Sequence, residues 1–359
     1  MARVGLIFGG RSVEHKVSVS SALTVAAALE EAGHEVVPLG VAADGCWLEP
    51  AAAARALAGE VDALAPLGRR VAGTLRVLVE AAVDVLFPIV HGTWGEDGSL
   101  QGLCEMFDVA YAGAGVTASA LAMDKAFAKQ LLAARALPVV DYEVVGKGEL
   151  ERAPAAVLAR LGRFTPPIFV KPSVGGSSVG VSRVPSLACL ETAVRLALRF
   201  DDRVVVERGI AGRELECAVL GHHTLEASAI GEIVPGREFY DYADKYLADE
   251  ARLIAPAELP EELARRLREL AVDAFAALGG WGMARVDFLL EGDDLVWINE
   301  INTLPGFTRI SMYPRLWELS GVPLPALVDR LVAIARERHG ERRRLDDGIK
   351  EWIAEISGE

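Results

Sequence analysis

Apolar and polar side chains alternate strictly in one part of the chain and gather in short blocks elsewhere. Over 283–290, Ala284, Val286, Phe288 and Leu290 interleave with Met283, Arg285, Asp287 and Leu289. Period two predicts a strand with one apolar face and with Arg285 and Asp287 together on the other. A second strand over 295–302 puts Glu300 and Asn302 on a common face, and Glu291-Gly292-Asp293-Asp294 joins the two. Simple antiparallel pairing about that turn sets Leu290 against Leu295, Asp287 against Ile298, Arg285 against Glu300 and Met283 against Asn302. Arg285, Asp287, Glu300 and Asn302 then converge on one face. A slip of one residue would scatter them.

The N-terminal pattern is different. A short apolar run, 3–8, is closed by Gly9-Gly10. An Ala-rich stretch of helical spacing (18–32) follows and stops at Gly33, and 34–42 reads as a second strand. Another strand, 83–90, ends at His91. Strand–helix–strand order predicts an open parallel α/β layer. Residues 113–137 run from a glycine turn into a helix, and 166–171 and 203–207 read as strands around a Gly/Ser loop. The clearest helix covers 259–278, with Pro260 in its first turn and Leu263, Leu267, Leu270, Ala274 and Leu278 on one stripe. In the charged last 19 residues, Ile349, Trp352, Ile353 and Ile356 keep helical spacing, which predicts a terminal helix docked on the body. A dimer contact is the alternative.

Composition narrows the function. With 52% hydrophobic and 25% charged residues, the 359-residue chain is globular, of two or three domains. A net charge of −14 (37 basic against 51 acidic residues) disfavours nucleic acid. No apolar run reaches the roughly 18 residues of a membrane span. Cys46, Cys104, Cys189 and Cys217 are scattered, which suggests neither a zinc site nor a disulfide framework. A reduced, cytoplasmic setting is expected.

Several segments carry chemistry. Two carboxylates, an amide oxygen and a guanidinium on the hairpin form a hard-oxygen set suited to Mg²⁺, although an exposed face with an Arg–Glu pair fits the same pattern. Lys171-Pro-Ser-Val-Gly-Gly-Ser-Ser-Val-Gly180 follows a strand and offers N–H and hydroxyl donors for phosphates, with Lys171 as a point charge. An ordinary flexible loop is the alternative, and the Walker A pattern is absent from the chain. Gly113-Ala-Gly-Val-Thr-Ala118 matches a loose dinucleotide fingerprint far from the first strand. Glu14 and His91–Glu96 stand at predicted strand ends, where open α/β sheets bind ligands. Glu14 suits an ammonium group, and His91 and Glu96 suit positioning or acid/base work; solvated loops fit as well. Phe239–Tyr246 is aromatic-rich and reads as a lid.

Together these segments resemble the D-alanine–D-alanine ligase family of the ATP-grasp superfamily. The resemblance is carried by GGRSVEHKVS (9–18), HGTWGEDGSLQG (91–102), AMDK (122–125), VKPSVGGSSVG (170–180), FYDYADKY (239–246), MARVDF (283–288) and NEINTLPGFTRISMYP (299–314). It spans about residues 3–335 in collinear order and sets aside the fingerprint at 113–118. It implies an α/β protein of the ATP-grasp fold. Residues 1–112 form the open parallel N-terminal domain. Two α+β domains follow over 113–210 and 211–340, with ATP between them, and 341–359 is a charged helical tail.

By the same resemblance, Lys125, Lys171 and Lys245 contact the phosphates beneath Ser177 and Ser178. Glu207, Arg208 and Ile210 belong to the adenine site, and Glu214 to the ribose. Asp287, Glu300 and Asn302 hold two Mg²⁺, with Mn²⁺ as a substitute. Glu14 binds the first D-alanine, beside His91 and Glu96, and Tyr246, Ser177 and Glu96 tie Glu14 to the lid. Arg285 and the Gly306 amide stabilise an oxyanion, and Ser311 and Met312 hold the second substrate's carboxylate. The implied reaction makes D-alanyl-D-alanine through a D-alanyl phosphate, for peptidoglycan precursors, in a cytoplasmic homodimer.

Arg208, Val174-Gly175 and Arg309 depart from the commoner family residues, which bears on nucleotide contacts. Tyr246 favours D-alanine over D-lactate as acceptor. The rival readings are a related ligase making another dipeptide and a nucleotide-binding regulator without turnover.

Overall fold

A computed structural model describes residues 1–60, 76–77, 80–235 and 252–357. Its first layer is the expected parallel sheet. Strands β1 (Arg3–Gly9), β2 (Glu35–Val41), β3 (Val85–Pro88) and β4 (Ala110–Tyr111) lie in the order β2-β1-β3-β4. Helices α1 (His15–Glu31), α2 (Pro50–Leu57) and α3 (Ser99–Met106) connect or flank them. β1 is apolar along almost its whole length because it is covered on both faces. The strand ends deliver Gly9-Gly10 and His91 to one edge of this layer.

Helices α4 (Val116–Met123) and α5 (Lys125–Ala134) follow, divided at Asp124. The Asp124 side chain accepts from the N–H groups of Ala126 and Phe127 and so caps α5. Ala114, Ala118, Ala122 and Leu132 of this segment share a core with the third sheet.

The second sheet, in the order β5-β8-β6-β7, is built from β5 (Tyr142–Gly146), β6 (Ile168–Pro172), β7 (Ser182–Val184) and β8 (Arg203–Arg208). It has its own core with helices α6 (Lys147–Arg152), α7 (Pro154–Leu161) and α8 (Leu190–Ala197), centred on Val145, Val157, Leu161, Val170 and Val206.

The third sheet has the order β11-β10-β9-β12-β13, from β9 (Gly212–Gly221), β10 (Leu225–Val234), β11 (Arg252–Ile254), β12 (Gly282–Glu291) and β13 (Leu295–Asn302). Helix α9 (Glu261–Ala277) covers one face, burying Leu263, Leu267 and Ala274 of the predicted stripe together with Ala271 and Phe275, while Leu270 is only partly buried. α10 (Met312–Leu319) and α11 (Leu324–Ser357) complete the chain. Leu327, Val328, Leu331 and Val332 of α11 enter the core of the N-terminal layer, so the last helix closes the chain onto its beginning.

Two expectations are corrected. The hairpin does not pair simply. Its loop is one residue shorter than the predicted turn, with Glu291 opposite Leu295, Leu290 opposite Val296 and Phe288 opposite Ile298. Alone, that shift would turn Glu300 and Asn302 away from Asp287. The ladder is then interrupted between Asp287 and Phe288, where Asn299 has no opposite number, and Asp287 faces Glu300 while Arg285 faces Asn302. The bulge adds a second one-residue shift in the same direction, and two residues restore the face.

The terminal helix forms, but its apolar stripe is not docked. Ile349, Trp352, Ile353 and Ile356 are 49–65% exposed. Among the described residues, the last ion pairs from this helix to the body are Arg342 with Glu105 and Arg343 with Asp108.

Candidate active site

The functional side chains gather on the polar face of the third sheet, under the Gly/Ser loop of the second. Glu216 on β9, Asp287 on β12 and Glu300 on β13 form one row across three neighbouring strands. Like charges set directly opposite destabilise a sheet. Arg285 resolves the conflict. Its Nε and Nη2 donate to the two Asp287 oxygens, each at 2.7 Å, and Nε lies 3.1 Å from Glu216 Oε1. Burial works against the guanidinium charge, yet Asp287 and Glu216 hold its pKa well above the ordinary value. Asn302 Nδ2 donates to Asp287 Oδ2 at 2.9 Å, so the amide oxygen is the atom it can give a cation.

Two lysines face this acidic row. Lys125 Nζ donates to the Gly175 carbonyl at 2.6 Å and lies 4.0 Å from Glu300. Lys171 donates to Asn299 Oδ1 at 3.2 Å, so the bulged residue also serves the site. Lys171 pairs with Glu207 as well, and Lys129 stands 2.9 Å from the other Glu207 oxygen. Glu207 is 2% exposed. Burial alone would raise its pKa, but the two ammonium groups bring it down to about 2. Lys171 is likewise raised by Glu207 against the effect of burial. The Glu207 side chain is therefore a buried counter-ion that holds Lys171 in place.

Over the cleft, Gly176 to Val179 make a tight turn, with the Val179 N–H donating to the Gly176 carbonyl at 3.1 Å. Ser177 (φ 53°) and Ser178 (φ 58°) occupy its centre in the left-handed region. Non-glycine residues rarely adopt that conformation, and it occurs at ligand clamps. The loop, Lys125, Lys171, Glu214, Glu216, Arg285, Asp287 and Glu300 line one cavity. Arg208 lies apart from it, paired with Glu291 at 2.6 and 3.0 Å against the Trp297 ring.

The N-terminal layer reaches the same place. Glu14 is the N-cap residue of α1. A Cβ built on Gly92 would lie 2.6 Å from its Oε2, and one on Gly176 3.5 Å. Its carboxylate thus sits between the His91 loop and the Gly/Ser loop. Glu96 Oε1 accepts from the Gly92 N–H at 2.7 Å. Burial and the neighbouring Glu14 push Glu96 up to about 8.

His91 is 3% exposed. Its Nδ1 donates to the Leu304 carbonyl at 2.9 Å, because a carbonyl only accepts. Nε2 therefore accepts from Ser21 Oγ, also at 2.9 Å, and Ser21 accepts from the Phe307 N–H at 3.2 Å. Burial lowers the His91 pKa and keeps this tautomer neutral. His91 thereby holds both sides of the 304–307 turn that carries Gly306. Ser311 follows at the N-cap position of α10, with its Oγ turned back to accept from the Thr308 N–H at 2.9 Å. The Met312 side chain is buried against Gly231, so Met312 offers its first-turn N–H.

Lys245 and Tyr246, expected from the lid, lie outside the described residues. Lys129, Glu216, Asn299 and Ser21 were not expected. Two signals could have found the first pair: Lys129 stands four residues after Lys125 in a helix, and Glu216 two after Glu214 in a strand. Nothing local marks Asn299 or Ser21.

A loop and lysines closing from one sheet onto an acidic face of the next define an ATP-grasp ligase. The comparisons with known proteins agree. Residues 3–114 match the family model "D-ala D-ala ligase N-terminus" and residues 131–333 match "D-ala D-ala ligase C-terminus". A D-alanine–D-alanine ligase of Halothermothrix orenii is 41% identical over 337 residues, covering 93% of this chain and 98% of that protein. One from Mycolicibacterium smegmatis is 46% identical over 362 residues, covering 93% and 96%. The solved D-alanine–D-alanine ligase of Coxiella burnetii superposes with a TM-score of 0.80 at 33% identity, over 99% of this chain and 98% of that one. VanG D-Ala:D-Ser ligase of Enterococcus faecalis gives 0.78 at 31% identity, over 93% and 99%. The chain belongs to the D-alanine–D-alanine ligase family, whose members are ATP-dependent.

Proposed function

We propose that this protein joins two D-alanine molecules into D-alanyl-D-alanine, converting ATP to ADP and phosphate, as a step towards peptidoglycan precursors. The observation that carries the reading is the cleft in which Lys125 and Lys171 meet the Arg285–Asp287–Glu300 row, with Glu14 beside the Gly/Ser loop that covers it. A carboxylate is a poor electrophile, so it must first be activated. The carboxylate of the first D-alanine attacks the γ-phosphorus, ADP leaves, and a D-alanyl phosphate forms. The amine of the second D-alanine then attacks the carbonyl, loses a proton, and phosphate leaves.

The chain's own residues have tasks of charge placement and positioning. Glu14 receives the ammonium of the first substrate. Lys125, Lys171 and, from the lid, Lys245 face the phosphates under Ser177 and Ser178. The Glu207–Ile210 segment takes the adenine, and Glu214 the ribose. Arg285 and the Gly306 N–H take the oxyanion of the second step, with Ser311 and Met312 at the acceptor carboxylate. Tyr246, Ser177 and Glu96 connect the lid with Glu14.

The donor set fits a hard divalent cation: carboxylates of Asp287 and Glu300 and the Asn302 amide oxygen. Two Mg²⁺, or Mn²⁺, held there would supply neutralisation of phosphate charge. A cytoplasmic homodimer completes the proposal. Leu345, Ile349, Trp352 and Ile356 follow the 4-3-4 spacing of a helix-pairing seam, and all are exposed. Arg342–Arg344 precede the seam and Glu351 and Glu355 lie within its far half, a distribution that suits antiparallel contact with a second copy.

The deciding experiment measures ADP release with D-alanine as donor and D-alanine, D-serine or D-lactate as acceptor. D-alanine should give the highest kcat/KM. A clear preference for D-lactate or D-serine at neutral pH would reassign the acceptor, and no amino-acid-dependent release would end the ligase reading.

A further inference from the structure

A second cluster of ligand-type side chains lies away from the cleft. Gly221 ends β9 at φ 146°, and three residues lead into β10. Two of them are His222 and His223, whose rings stand 4.0 Å apart. Both reach the same side chain on α11. His222 Nε2 is 2.8 Å from Glu341 Oε2, and His223 Nε2 is 2.7 Å from Glu341 Oε1.

We propose that His222, His223 and Glu341 form a zinc-class metal site that pins the β9–β10 turn to the terminal helix. The ligand atoms, one from each residue, all lie within 4.8 Å of one another. Zn²⁺ bonded to nitrogen and oxygen at roughly 2.0–2.1 Å needs tetrahedral ligand spacings of about 3.3 Å. Small side-chain rotations close that gap, with each imidazole moving its proton to Nδ1. Two imidazoles and one carboxylate leave a fourth position for water. Imidazole donors select Zn²⁺, Ni²⁺ or Cu²⁺ over Mg²⁺.

The surroundings hold the three residues in place beforehand. His222 is largely buried and packs edge-on to Trp281, with ring centroids 6.3 Å apart. Glu341 is fixed by its neighbours on α11: His339 bonds Asp108 at 2.9 Å, Arg342 pairs with Glu105, and Arg338 lies over Trp281. Glu337, one turn earlier, adds negative potential beside His223. His223 is 68% exposed, which leaves an entry path for the ion.

The test is calorimetric titration of EDTA-treated full-length protein with ZnCl₂, with the Co²⁺ absorption spectrum as a report on geometry. The same titration on Asp287→Asn/Glu300→Gln protein separates this site from the cleft carboxylates. Parent and double variant should each bind one ion here, with a tetrahedral Co²⁺ spectrum and a raised Tm. His223→Ala and Glu341→Gln should weaken binding by at least about tenfold, while Mg²⁺-supported ligase activity of His223→Ala stays at the parent level. Equal binding by these variants, loss of binding in the cleft variant, or no binding by the parent would each overturn the proposal.

Discussion

Glu216 and Asp287 face each other directly across the β9–β12 ladder, and Arg285 bridges the two carboxylates. With Glu300 beside Asp287 on β13, the sheet carries a row of acids that only a cation can make tolerable. The Arg285 guanidinium fills that need for Glu216 and Asp287.

The first prediction concerns the proposed metal ligands. Asp287→Asn and Glu300→Gln should each lower the rate of ADP release by at least about a hundredfold, the scale of losing one electrostatic contact in a closed site. Steady-state assays over a range of Mg²⁺ concentrations check it. Unchanged release in Glu300→Gln would take Glu300 out of the metal set.

Glu207→Gln should be destabilising. Two buried ammonium groups would lose their partner, at a cost of about 3–5 kcal/mol, read from denaturant midpoints. Because the Glu207 pKa falls from 4.5 unfolded to about 2 folded, its contribution is present above pH 4.5 and fades as pH drops towards 2. Parent protein should show that acid slope and Glu207→Gln should lack its share. Lys171→Ala should weaken ATP binding in calorimetry.

Gly306→Ala should act on chemistry. A Cβ at 306 would meet Ser311 Oγ at 2.8 Å, and that oxygen is already bonded to Thr308. Either Ser311 Oγ leaves its bond with Thr308 or the turn moves, and both disturb the Gly306 N–H, so kcat should fall at least about tenfold with little change in the KM for ATP. Adding Ser311→Ala should restore part of the kcat lost in Gly306→Ala when D-alanine is saturating, while raising the KM for the acceptor that Ser311 serves. No recovery in kcat would point to another origin.

Glu96 predicts a pH effect. Its carboxyl is raised to about 8, so it is mostly protonated at pH 7 in the free protein. A substrate ammonium beside Glu14 favours the ionised form of Glu96 and lowers that value. The KM for the first D-alanine should therefore fall as pH rises from 7 to 9. Glu96→Gln should flatten the profile, and an identical profile would remove Glu96 from the substrate's surroundings.

Truncation after Gly340 or Trp352→Asp should convert a dimer to monomer in sedimentation velocity while leaving the α/β layers folded. A dimer that persists in both would place the contact elsewhere.

The elements of the fold were largely legible because each obeys a short period. The stripe of α9, the apolar run of β1 and the alternation of β12 are local consequences of which face is buried. Asp287, Glu300, Asn302 and Arg285 could likewise be assigned to one polar surface from sequence spacing. Their pairing could not. The loop and the Asn299 bulge each shift the register by one residue in the same direction, two in all, which restores the face, and β12 is held by β9 as well as by β13. Contacts between distant segments were equally hidden. Lys129 with Glu207, and His91 with Leu304 and Ser21, join residues between 70 and 213 positions apart. The terminal stripe carries the same helical spacing as a docked one, and only the position of the body shows that it faces outward. Sequence by itself thus determined the faces, since side-chain direction is local. Tertiary structure decided which faces meet, since register and long-range pairing are settled by packing.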